Sequence, residues 1–150
     1  MTDPREKILA RLFDVLTTAA EAAGGHAFRN VAKVPEHKMP AIRLFDGDEA
    51  TDEAAFGRGR PASGPLIVAA TPEIFVTLAN DTEALGTEIN TWRAKVIKAV
   101  LTDATLLELC HNGDVRYLGC STALGEGREM TGDLGLAFAL NYALRPAQLP

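Results

Sequence analysis

The chain has 150 residues, 47% hydrophobic and 23% charged, with a formal net charge of -5 at pH 7. That is enough for one domain burying roughly 70% of its unfolded surface, and the composition excludes wholesale disorder. The acidic balance argues against a general binder of duplex DNA or anionic membrane, because such proteins carry a basic face.

Asp3-Pro4-Arg5-Glu6 reads as a helix start, with Asp3 accepting from first-turn amides, Pro4 at the first helical position and Glu6 at capping-box spacing. Ile8, Leu9, Leu12, Phe13, Leu16, Ala19, Ala20 and Ala23 then form one apolar stripe, and Gly24-Gly25 ends it. Charges at Asp3, Arg5, Glu6, Lys7, Arg11 and Asp14 interrupt this region, so no secretory leader is expected and assembly is expected in the cytoplasm. No run approaches the roughly 18 apolar residues of a membrane span.

His26 to Val31 reads as a short first strand with Phe28 inward and Arg29 outward. Lys33 to Met39 is a loop, and Ala41 to Phe45 a short strand entering a turn at Asp46-Gly47-Asp48. From Asp48 to Gly64 large apolar residues nearly vanish, and an exposed, mobile connection is expected at about 48–64. Its Asp48, Glu49, Asp52, Glu53, Arg58 and Arg60 are the candidate interface residues.

Leu66, Val68 and Ala70, then Ile74, Val76 and Leu78, hold one parity on either side of Pro72. That pattern predicts one long strand with an edge position or kink at the proline. Asn80-Asp81-Thr82-Glu83 is a capping signal for a second helix, whose stripe of Leu85, Ile89, Trp92, Val96, Ala99 and Val100 runs to about Thr102. Within such a stripe Trp92 is a core anchor rather than a ligand platform. Ala104 to Cys110 reads as a further turn of helix closed by His111-Asn112-Gly113. Val115 to Ser121 is a strand, joined through Gly125-Glu126-Gly127-Arg128-Glu129 to the last strand and expected to pair antiparallel with it.

That last stretch, Gly132 to Arg145, carries the clearest signal. Leu134, Leu136, Phe138, Leu140, Tyr142 and Leu144 share one parity, while Asp133, Gly135, Ala137, Ala139, Asn141 and Ala143 share the other. A strand of about twelve residues spans roughly 40 Å, with one greasy face and one small, weakly polar face. Arg145-Pro146 stops it. The element order lacks regular strand-helix alternation, so the expected fold is α+β: a single domain with a mostly antiparallel four- to five-stranded sheet and two main helices on one face. The other face, flat and small, is a contact surface for another subunit.

Residue patterns for chemistry are sparse. Gly57-Arg58-Gly59 and Gly125-Glu126-Gly127 lack the remaining spacing of a phosphate loop. The acidic group Asp46, Asp48, Glu49, Asp52, Glu53 lacks the glycine and glutamate of a calcium loop. His26, His37 and His111 have no partner at ligand or general-base spacing, and Cys110 and Cys120 read as reduced thiols without a CxxC pair. Ser63, Ser121 and Cys120 lack a nucleophile elbow. No catalytic residue, metal ligand or cofactor is assigned.

Five segments in order carry a family likeness: Phe28-Arg29-Asn30; Pro40 through Glu49; Thr71-Pro72-Glu73-Ile74; Val115 through Gly119; and Gly135 through Tyr142. Together they resemble tail terminator proteins of long-tailed bacteriophages and prophages, akin to the minor tail protein U type, over nearly the whole chain. The resemblance implies a structural virion protein that does no covalent chemistry and sits as a hexameric ring on the head-proximal end of the tail tube. Its implied partners are further copies of itself, the tail tube protein and a head-side connector protein, with DNA passing only as cargo and no membrane involved. Neighbouring readings are another head-tail connector or tail-completion protein, a non-viral ligand-binding α+β module and a small hydrolase.

Overall fold

The computed structural model describes residues 2–51, 64–79, 84–124 and 131–150. Helix α1 (Pro4–Ala22) opens as its sequence predicts, with the Asp3 carboxylate accepting from the Arg5 amide at 2.9 Å. Glu6 does not close a capping box; its carboxylate takes both Nη atoms of Arg29 at 2.9 and 3.0 Å, a stronger charge-assisted partner than a backbone amide. At the other end the Gly24 amide donates to Glu21 and the Gly25 amide to Ala20, the paired bonds of a Schellman stop with Gly24 at φ 77°.

Five strands follow: β1 (His26–Arg29), β2 (Ala41–Thr51), β3 (Leu66–Ala79), β4 (Val115–Leu124) and β5 (Thr131–Leu144). They form one sheet in the order β1-β2-β3-β5-β4. The pairings are antiparallel except β1 with β2. Helices α2 (Leu85–Thr102) and α3 (Ala104–Leu109) complete the fold. The architecture is α+β, with the helices on one face of a mostly antiparallel sheet.

One core joins the layers. Ile8, Leu12, Leu16 and Ala20 of α1 meet Leu85, Ile89, Trp92, Val96 and Val100 of α2 over the even-numbered residues of β3 and β5. Leu134, Phe138 and Leu140 are fully shut off from solvent, and Trp92 is buried as a core anchor. Each large apolar side chain so buried contributes about 1.5–3 kcal/mol. Arg11 clamps Asp103 through two bonds of 2.9 and 2.7 Å, and the same carboxylate caps α3 by accepting from the Leu106 amide at 2.8 Å. One aspartate thereby ties α1 to the α2–α3 corner.

Three expectations change. Asp46-Gly47-Asp48 is not a turn but a β-bulge inside β2, where Phe45 opposes Glu73 and Asp48 opposes Thr71. Two residues then face Pro72 alone, which is how a proline sits in the central strand β3 rather than at an edge. Asp48 and Glu49 accordingly belong to a strand and not to a loop. Phe28 and Arg29 are also reversed. In parallel register with β2, Arg29 lies beside Leu44 on the helix face, where Glu6 and Asp46 neutralise it, and Phe28 lies beside Arg43 on the open face.

Candidate interaction surface

The alternation that puts even residues of β3 and β5 into the core puts their odd residues on the opposite face, away from the α-helices; at its Arg43–Thr77–Asp133 corner Ala32, Lys33, Val34 and Met39 of the β1–β2 connection stand against it. Across that face Thr77 stands beside Asp133, Phe75 beside Gly135 and Glu73 beside Ala137. Small residues dominate β5, so the surface is flat there. A β-carbon on Gly135 would come within 3.1 Å of the Ser121 hydroxyl and 3.3 Å of the Phe75 ring, so the glycine leaves space that the neighbouring side chains use.

On the β2 side the face rises into a cluster. Phe45 and Phe75 meet edge to face at 5.6 Å between centroids, and the Arg43 guanidinium lies 5.8 and 5.6 Å from their centroids. These are cation–π distances. Arg43 donates to the Ala32 carbonyl at 2.6 Å and approaches the Thr77 hydroxyl at 3.5 Å, while Thr77 donates to Asp133 at 2.8 Å. The Arg43 Nε is sealed from solvent with no hydrogen-bond partner. The cluster is therefore a fixed relief of two rings and a cation.

Toward β4 the face sinks into a hollow of about 300 Å³, with Phe75 and Leu118 at its sides and Gly119, Gly135 and Ala137 in its floor. Leu118 is there because β4 carries a bulge: Tyr117 opposes Phe138 and Gly119 opposes Ala137, leaving Leu118 without an opposite number. At the corner below, Asp114 accepts two bonds from Arg116 and one from Asn141, which holds its carboxyl below the usual range, chiefly through the Arg116 contact.

The six interface candidates are not brought together by what is described. Asp48 and Glu49 sit on opposite faces of β2 past its bulge, Asp48 beside Thr71 and Glu49 beside Ala70. Glu49 accepts from the buried Tyr142 hydroxyl. Asp52, Glu53, Arg58 and Arg60 lie outside the described residues. Sequence reasoning missed Arg43, Phe45, Phe75 and Leu118. The signal for Phe75 was present, since it falls off the parity of Ile74 and Val76, and the bulge that exposes Leu118 is signalled only by Gly119, an isolated glycine inside the strand that adopts φ 131°.

The chemistry available is that of contact. His26, His37 and His111 are each exposed, and among the described residues no three His, Cys, Asp or Glu side chains converge as a metal site. On the helix side the exposed Cys120 thiol is held below its ordinary pKa, first by the Tyr117 hydroxyl and then by Arg93. No helix among the described residues is long and apolar enough to cross a membrane. Compared with known proteins, the chain matches no protein-family model and no curated protein.

Proposed function

We propose that this protein is a structural component of a bacteriophage virion that caps the head-proximal end of the tail tube as a ring of identical subunits, a hexamer. It ends polymerisation of the tube and presents the surface to which the head-side connector attaches. The reading rests on the ordered set of five segments that resembles tail terminator proteins. The observation that carries it is the sheet face opposite the α-helices, where Phe45, Phe75 and the exposed Leu118 stand around small residues of β5, a surface for a protein partner rather than for a small substrate. Exposed apolar groups gathered on one face in this way mark contacts with other proteins.

The net charge of -5 also supports the reading, because an acidic ring does not retain DNA that must pass through it. In this role the protein holds no cofactor, performs no covalent step, and is assembled in the host cytoplasm before joining the tail. The test is the tail-length distribution, by negative-stain electron microscopy, of particles made with this gene deleted. Tails of scattered, abnormal length, restored by supplying the protein, support termination. Tails of normal length that fail to join heads assign the protein to a connector or completion step, and normal infectious particles refute a virion role.

A further inference from the structure

We infer that the free protein pairs with a second copy through its open sheet faces, Leu118 of each copy seated in the hollow over Gly135 and Ala137 of the other. The inference concerns the free chain and stands apart from the proposed ring. At 57% exposure Leu118 is the most exposed large hydrophobic side chain among the described residues. It is the residue thrown out of the ladder by the bulge in β4, an edge strand. Edge strands ordinarily protect themselves with charge or proline, so a leucine presented there is an anomaly that a partner resolves.

The hollow beside it has the complementary form. Its floor is made of Gly119, Gly135 and Ala137, so it offers about 300 Å³ of open space with Phe75 as an aromatic wall. Knob and hollow lie side by side on one face, and a self-complementary face of that kind closes with two-fold symmetry. Size agrees. Four strands about 4.8 Å apart over about ten residues of 3.4 Å make roughly 650 Å² in plan, near the ~800 Å² that one partner contributes to a standard interface.

The register places Arg43 and Arg116 on this face together with Asp48, Glu73 and Asp133, and Arg116 is already paired with Asp114 at 2.8 Å. The charges are of mixed sign, two cations and three anions, so the face is not that of a partner selected by a single charge. Pairing also hides the Arg43–Phe45–Phe75 relief, so ring closure has to compete with the pair.

The test is sedimentation equilibrium of the purified chain at about 100 µM, a concentration that reads Kd values in the micromolar range. The wild type is expected at twice the 16.0 kDa chain mass, and Leu118→Glu at the single-chain mass with unchanged circular dichroism, since the side chain is exposed. A second measurement uses mixed copies of C120S/L118C and C120S/A137C, which form a disulfide between copies only if the two positions come within about 7 Å. A monomeric or hexameric wild type, an unaltered mass for L118E, or absence of the mixed disulfide overturns the inference. Tail termination by L118E in the deletion background is read separately, so loss of the pair and loss of the proposed function are distinguishable.

Discussion

Gly47 holds the bulge that lets Pro72 occupy the central strand, and Gly47→Ala is the most informative single change. Gly47 has φ 70°, a region that costs an L-residue about 1–2 kcal/mol. A β-carbon there would overlap the Thr71 carbonyl oxygen and stand 2.9 Å from its carbonyl carbon, which is backbone and not a movable side-chain end. β2 and β3 must part locally, at the loss of one or two ladder hydrogen bonds of about 1 kcal/mol each. The sum is about 2–4 kcal/mol, or a fall of roughly 4–16 °C in melting temperature for a chain of this length. Gly24→Ala is the control: its φ is 77°, yet nothing lies within 4 Å of its β-carbon, so only the backbone term of about 1–2 kcal/mol applies. Urea melts of both variants measure the difference. Equal losses, within about 0.5 kcal/mol, would falsify the claim that strand contact at the bulge, and not local conformation, demands glycine at 47.

Trp92→Ala removes the largest side chain of the α2 stripe and is expected to cost about 3–5 kcal/mol in the same urea assay. A loss below about 1 kcal/mol would place Trp92 outside the load of the core. Glu6 and Asp46 are each held below the ordinary carboxylate pKa, in both cases chiefly by hydrogen bonds from Arg29. Their stabilising contribution is therefore complete above the unfolded carboxylate range, roughly pH 4, and is lost as pH falls through the lowered folded values. Arg29→Gln is expected to lower stability by about 1 kcal/mol at pH 7, given how exposed Glu6 is, and to flatten the acid limb; an acid limb as steep as the wild type's counts against the assignment. Burial pushes the Cys110 thiol up to about 11, while Cys120 is exposed and shifted down. Iodoacetamide at pH 8 is expected to alkylate Cys120 alone in the native protein, and mass spectrometry of a doubly modified native chain would contradict that.

Legibility followed the length of each pattern. In β5 six large residues on one parity leave no other way to bury them, so its core face was readable without coordinates, and the stripe Ile8-Leu12-Leu16-Ala20 did the same for α1. β1 has only four residues, and alternation over so short a run does not say which face is inward. Arg29 turned out to share the helix side because Glu6 and Asp46 wait there. Asp46-Gly47 has the residues of a turn and of a bulge alike; what selects the bulge is Pro72 across the ladder, a partner distant in sequence.

The sequence by itself determined the helices, the long strands β3 and β5 with their inward faces, and the existence of a small-residue face on β5, because burial and backbone periodicity are local and repeat within each segment; it did not show that β2 runs on past Phe45 to Thr51. Only the tertiary structure decided that β1 pairs parallel to β2, that Arg43 lies across Phe45 and Phe75, and that Leu118 stands beside a hollow floored by Gly135 and Ala137. Those features arise from register between strands, and register is set by the joint packing of the whole sheet, which no single segment contains.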